Sequence, residues 1–169
     1  PRDMWVNIPG FGYSRINTAW TMGEAARLPS GGPGLAMETV SQFIGVPVHY
    51  YVQVDFDTFI SFIDLIDGID IYIDEEMTLE LTGRGRDHID MPCCGIQHMN
   101  GKRALAYARC RKESQGCSGG DVGRAERQQK VIMAVRDKVL DPAQFPLLLA
   151  QAPHIYEAFS AGVHTNMSL

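Results

Sequence analysis

The stretch VPVHYYVQVDFDTFISFIDLIDGIDIYI, Val46 to Ile73, constrains the fold most, because its hydrophobic period changes twice. Val46–Val54 is rich in β-branched and aromatic residues, which predicts a largely buried strand. Asp57 is placed to cap a helix whose apolar positions Phe59, Ile60, Ile63 and Ile66 fall at helical spacing, and Gly68 is placed to end it. Ile69–Ile73 then alternates apolar and polar residues, which predicts another strand. Strand, helix, strand at this spacing is a βαβ unit, whose crossover is right-handed and lays helices on at least one sheet face. The fold class expected is therefore α/β.

The remaining segments fit the same alternation. Met4–Ile8 reads as a strand, followed by turns punctuated by glycine and proline through PGFGYSRIN. Residues 33–44 read as a helix with Pro33 in its first turn, an apolar stripe of Ala36, Val40, Phe43 and Ile44, and Gly45 as its stop. Residues 74–98 have turn chemistry without a sustained period and read as a hairpin or excursion, in which the glycine-flanked Arg84 and Arg86 mark a solvated turn. Asn100 caps a short helix through about Tyr107, and Arg109 and Arg111 then leave it in an extended segment that turns both to one side. A long helix is expected over 122–140, closed by Asp141-Pro142, and a last apolar helix interrupted by Pro153.

At 169 residues, with 45% hydrophobic and 21% charged content, the chain is long enough for one domain with a sizeable core. No apolar run approaches the roughly 18 residues of a membrane helix, and no signal peptide is visible, so the chain as given reads as soluble. It starts at Pro1 without a methionine, which suggests a fragment whose N-terminal part, anchor included, lies upstream. The spacing of Cys93, Cys94, Cys110 and Cys117 does not suit a zinc site. Adjacent cysteines rarely bond each other. The pairings left open are Cys110 with Cys117 beside two free thiols, or Cys93 and Cys94 each crossing to the later two; either would fit an oxidising compartment.

The chain carries a formal net charge of -5, yet Arg109, Arg111, Lys112, Arg124 and Arg127 gather around a glycine-rich loop. On the expected long helix, the stripe Ala125, Ile132, Val135 and Val139 runs backwards into Gln128, Arg124 and Asp121, so polar groups continue the inward face. A buried guanidinium requires an anionic partner, and cations in a first helical turn oppose the helix dipole. An anion bound there resolves both conflicts: the amides of SGGDVG and the arginine forks suit phosphate oxygens. The competing reading is a structural ion-pair network in which Asp121 caps the helix and pairs with Arg124 or Arg111. Nucleic acid fits poorly, given the acidic balance and a single nearby aromatic, Tyr107. None of the five histidines has a partner spacing that suggests catalysis or metal binding.

The segments PRDMWVNIPGFGYSRINTAW, GVPVHYYVQVDFDTFISFIDLIDGIDI, MNGKRALAYARCR and GGDVGRAERQQKVIMAVRDKV together resemble the LytR-CpsA-Psr domain, whose members attach cell-wall glycopolymers. The combination of Arg-x-Arg with Asp-x-x-Arg-x-x-Arg-Gln is highly specific. The resemblance implies a three-layer α/β/α domain with a central mixed β-sheet, lacking its first strands here. It covers residues 1–140 as the catalytic domain, incomplete at its N-terminus, with 141–169 as a C-terminal helical segment of the same domain. It also implies a membrane anchor through a missing N-terminal helix, with the domain on the extracytoplasmic face of the cell membrane.

The activity implied is transfer of a glycopolymer from a polyprenyl-pyrophosphate carrier to a peptidoglycan or related acceptor, with Mg2+ as cofactor. The alternatives are a pyrophosphate-binding module without turnover, or a pyrophosphate hydrolase. Carried over residue by residue, Arg109, Arg111, Asp121 and Arg124 are the expected catalytic set. Arg2, Arg109, Arg111, Arg124, Arg127 and Gln128 are expected to bind the pyrophosphate. Asp3 is the one metal ligand expected in this chain, the principal ligands belonging to the missing segment. Phe43, Phe59 and Phe62 could line a groove for the prenyl tail or could be plain core.

Overall fold

A computed structural model of the chain describes residues 3–81 and 87–167. Arg2, Arg84 and Arg86 lie outside the described residues. The chain divides into two compact units, Pro1–Gln53 with His164–Leu169, and Val54–Val163.

In the first unit, β1 (Trp5–Ile8) and β2 (Gly12–Arg15) form an antiparallel hairpin with Trp5 opposite Arg15 and Ile8 opposite Gly12. The alternation in β1 turns Val6 and Ile8 inward, where they meet Ala19 and Leu35 in a small core. Ala19 belongs to α1 (Thr18–Ala25) and Leu35 to α2 (Gly31–Ile44). The two helices approach so closely that a Cβ on Gly23 would lie 2.6 Å from the Gly31 carbonyl oxygen. Gly45 ends α2 in the left-handed region, as expected, its amide donating to the Ser41 carbonyl. The buried side of α2 carries Leu35 and Thr39, whereas Phe43 and Ile44 are about half exposed. The apolar stripe expected there is thus rotated, because Gly23 and Gly32 draw α2 against α1 at its N-terminal half.

The second unit holds the larger core. In α3 (Phe56–Leu65) the cap is Asp55, whose carboxylate accepts from the Thr58 amide at 2.7 Å, and Asp57 instead faces the helix dipole from the first turn. Ile63 and Ile66 are fully buried, each contributing about 1.5–3 kcal/mol. They pack with Ile69, Ile71 and Ile73 of β4 (Ile69–Ile73), which alternates buried and exposed along its length. β4 pairs antiparallel with β7 (Gly95–Met99), and β5 (Met77–Glu80) with β6 (His88–Met91), so the expected hairpin is present. Asn100 caps α4 (Gly101–Arg109) by accepting from the Arg103 amide. A short 3-10 turn at Glu113–Gln115 leads to α5 (Gly120–Leu140). α6 (Phe145–Gly162) runs through Pro153 without interruption and places Phe159 edge-on to Phe62 at 5.1 Å. Residues 145–162 thus lie within the second unit, whose bounds do not coincide with Leu140.

The α/β class is realised, with strands that pair two by two among the described residues. The βαβ crossover expected across residues 46–73 does not form, since β3 (Val52–Val54) pairs with β8 (Val163–Thr165) while β4 pairs with β7. A parallel strand needs both faces covered, and β4 has one apolar face only. The expected long buried strand over 46–54 is reduced to the three exposed residues of β3.

Candidate functional site

The arginine cluster is built where α4 ends, the chain loops, and α5 begins. Arg109 is the last residue of α4, two residues beyond the extent expected, and Cys110 breaks the helix with an extended backbone. Arg109, Arg111 and Lys112 then line one cavity of about 110 Å3 with Glu80, Ala106, Cys110 and Gln115. The two arginines share a side as expected, although Arg109 does so from a helix rather than from an extended segment. The Arg109 guanidinium also lies 4.9 Å above the Phe56 ring, which holds it without neutralising it. The carboxylate lining this cavity, Glu80, sits 3.9 Å from Lys112. Positive charge therefore dominates the cavity.

The other expected residues go elsewhere. Arg124 pairs with Asp121 at 3.0 Å within the first turns of α5, one of the two ion pairs offered by the structural-network reading. Asp121 makes no cap hydrogen bond; Gly119 holds the N-cap position, with φ +77°. The inward face of α5 carries Gly123, Arg127 and Val131, while Ile132 is 65% exposed. The stripe is thus rotated from that expected, and Arg127 rather than Arg124 is the interior arginine, at 5% exposure. Its Nη2 donates to the Cys110 carbonyl at 2.8 Å and its Nη1 to the Ser118 carbonyl at 3.2 Å. Glu75 stands 3.9 Å from Nη1, and Nε has no partner. The next residue, Gln128, donates from Nε2 to the Ala108 carbonyl at 3.3 Å.

At the expected phosphate seat, SGGDVG, the first residue is engaged from within the chain. The Glu75 carboxylate accepts from the Ser118 hydroxyl at 2.8 Å and from the Ser118 amide at 3.3 Å, just ahead of α5. An internal carboxylate thus meets the first of these amides. Glu75, Ser118 and Arg127 border a second cavity of about 240 Å3, which also takes in Asp74, Tyr107 and Lys130. Lys130 donates to Asp74 at 2.9 Å; that hydrogen bond holds the Asp74 carboxyl below, and the Lys130 ammonium above, their ordinary values. Burial pushes the Tyr107 phenol up.

The four cysteines form two disulfides, one of them within the cationic loop. Cys110 and Cys117 are bonded with their Cα atoms 5.9 Å apart, as one of the sequence pairings anticipated. Cys93 and Cys94 are bonded to each other, against the expectation for neighbours. In the first unit, Asp3 pairs with Arg15 at 3.6 Å. Among the described residues no three His, Cys, Asp or Glu side chains converge where they could hold a metal. The described residues therefore offer no complete donor set for Mg2+, which prefers octahedral oxygen ligation. Of the suggested groove residues, Phe59 and Phe62 pack on the core and Phe43 is half exposed.

A profile of the LytR-CpsA-Psr family matches residues 1–169. The chain belongs to the LytR-CpsA-Psr family. It is 33% identical, over 99% of its length and 48% of the relative's, to the polyisoprenyl-teichoic acid–peptidoglycan teichoic acid transferase TagU of Bacillus mycoides. It is 32% identical, over 100% of its length and 40% of the relative's, to the transferase of the same description, TagV, of Bacillus subtilis. The chain thus spans about half the length, or less, of these curated relatives. The crystal structure of B. subtilis TagV superposes with a TM-score of 0.73 at 32% identity, covering 99% of this chain and 58% of that one. TagT bound to LIIa-WTA superposes with a TM-score of 0.75 at 26% identity, covering 100% and 56%. Within this LytR-CpsA-Psr chain, Arg-x-Arg forms the open cationic cavity, whereas Arg127 of the later motif is turned inward.

Glu80, Gln115 and Phe56 were not anticipated, and Lys112 was named only as part of the cationic cluster. Lys112 was legible, since it directly follows Arg-x-Arg in the cationic run. Glu80 and Phe56 are remote in sequence, and no local pattern points to them.

Proposed function

We propose that the protein transfers a glycopolymer from a polyprenyl-pyrophosphate carrier to peptidoglycan or a related cell-wall acceptor, and that the Arg109–Arg111–Lys112 cavity receives the pyrophosphate. The observation that carries this reading is the cavity itself: three cations line it and its carboxylate, Glu80, leaves a positive excess. The transferase names of TagU and TagV support the substrate class. A guanidinium fork offers paired donors to phosphate oxygens and stays charged at any working pH.

In the proposed reaction an acceptor hydroxyl attacks the phosphorus next to the glycan. A new P–O bond forms, the P–O bond of the pyrophosphate bridge breaks, and polyprenyl phosphate leaves with the electron pair. Arg109 and Arg111 stabilise the charge growing on the leaving phosphate, which is the main service a protein renders in phosphoryl transfer. Asp121, oriented by Arg124, is the carboxylate proposed to take the hydroxyl proton. Arg2 and Arg124 belong to the proposed binding set. Gln128 is exposed but already engages Ala108. Mg2+ assistance belongs to the same proposal, with Asp3 as the ligand that these residues would contribute, and no step here runs through it.

The reading extends to action at the extracytoplasmic face of the cell membrane through an anchor outside these residues. The two disulfides support that compartment, since such bonds persist where the medium is oxidising. No helix among the described residues is long and apolar enough to cross a membrane. The test is calorimetric titration of geranyl pyrophosphate into the chain and into Arg109→Ala and Arg111→Ala variants. Loss of about tenfold or more in affinity in each is expected; unchanged affinity in both would overturn the assignment of the cavity.

A further inference from the structure

Arg109, Arg111 and Lys112 repel one another, so something must hold them together before any ligand arrives. The chain around them is braced from three sides. Cys110 lies between the two arginines and is bonded to Cys117, closing the loop that contains Arg111 and Lys112. Both sulfur residues are buried, at 6% and 0% exposure. One guanidinium, Arg127, reaches the carbonyl of Cys110 and that of Ser118, so it ties together the two ends of the disulfide loop. Gln128, adjacent on α5, holds the carbonyl of Ala108. The backbone is therefore gripped on both sides of Arg109, at 108 and at 110, by consecutive side chains of one helix. Inside the loop, the Lys112 carbonyl accepts from the amides of Gln115 and Cys117 at 2.9 and 3.2 Å.

We propose that the Cys110–Cys117 disulfide, Arg127 and Gln128 are positioning groups that fix the spacing of Arg109 and Arg111, and that this bracing is a contribution they make to pyrophosphate binding. The ligand part of this inference rests on the reading of the cavity given above. Three like charges facing one small cavity separate unless the backbone prevents it, and a site that must be reassembled on binding loses affinity to the ordering of its own chain. Arg127 suits the brace because its planar fork spans two carbonyls at once, which a lysine cannot do.

The test uses the whole 169-residue chain with geranyl pyrophosphate as probe. The variants are Cys110→Ser/Cys117→Ser, Gln128→Ala, and Ile69→Ala as a control that loosens the same core at the β4–β7 pair. Amide order parameters for residues 109–112 are measured without ligand, and affinity is measured by calorimetry at a temperature where every variant is folded. In the double cysteine variant the order parameters are expected to fall from about 0.85 towards 0.6, with affinity weakened about tenfold. Gln128→Ala, whose side chain is exposed and whose folding is safe, should show the same changes in smaller measure. Ile69→Ala should show neither.

Order parameters and affinity that stay at wild-type values in both loop variants would overturn the proposal. So would an equal loss of affinity in Ile69→Ala, which would mark the loop as general scaffolding. A wild-type chain that binds no probe overturns the pyrophosphate reading instead, and the brace then stands or falls on the order parameters.

Discussion

Replacing Arg127 by methionine tests the most unusual feature of the structure, a guanidinium that is 5% exposed and serves two backbone carbonyls. Methionine keeps most of the apolar volume of the side chain, so packing changes little. Two charge-assisted hydrogen bonds disappear, each contributing about 1.5–3 kcal/mol, and the carbonyls of Cys110 and Ser118 lose their donor. The substitution also removes the buried Nε that lacks a partner, which returns about 1 kcal/mol. The Glu75 contact at 3.9 Å adds little, since Glu75 retains both of its bonds to Ser118. The net loss expected is about 3 kcal/mol, on the order of 10 °C in Tm for a unit of this size. Urea denaturation of wild type, Arg127→Met and Arg127→Lys measures it, the lysine falling between because its ammonium reaches one carbonyl well. A methionine variant within about 0.5 kcal/mol of wild type, the range of ordinary surface substitutions, would refute the interior bracing.

Three further outcomes are expected. Gly116 has φ +74° and its Cβ position abuts the Glu76 carbonyl oxygen, so Gly116→Ala should destabilise the chain by about 2 kcal/mol or more in thermal unfolding. The Lys130 hydrogen bond lowers the Asp74 pKa in the folded state, so its stabilisation is present above the unfolded aspartate pKa and is lost as pH falls through the folded one; the stability gap between wild type and Asp74→Asn should close in acid, as chemical denaturation across pH would show. Burial raises the Tyr107 phenol, so its stabilisation is present below the unfolded tyrosine pKa and fades as pH rises through the folded value; in a spectrophotometric titration, Tyr107→Phe should remove the latest-ionising phenol.

Much of the fold was legible because local chemistry agrees with it. The Gly45 stop, the Asn100 cap, the alternation of Ile69–Ile73 and the long α5 all follow from the residues themselves. Helix rotation was less legible. The stripe through Ala125, Ile132 and Val139 is a fair amphipathic pattern, yet Ile132 and Val139 are exposed because Arg127 finds backbone carbonyls on the loop and turns that face inward. No periodicity rule anticipates a buried arginine whose partners are carbonyls rather than carboxylates.

The sequence by itself determined the α/β class, the family, and the identity of the cations that matter. Arg-x-Arg and Asp-x-x-Arg-x-x-Arg-Gln are local strings, and the charges they carry are independent of packing. Tertiary structure decided how those cations divide: Arg109 and Arg111 toward an open cavity, Arg124 to Asp121, and Arg127 into the interior. It also placed Glu75 on the amide and hydroxyl of Ser118, a pairing 43 residues apart. The physical reason is that a charge acts on whatever lies within a few ångströms, and which groups lie there is set by the path of the whole chain.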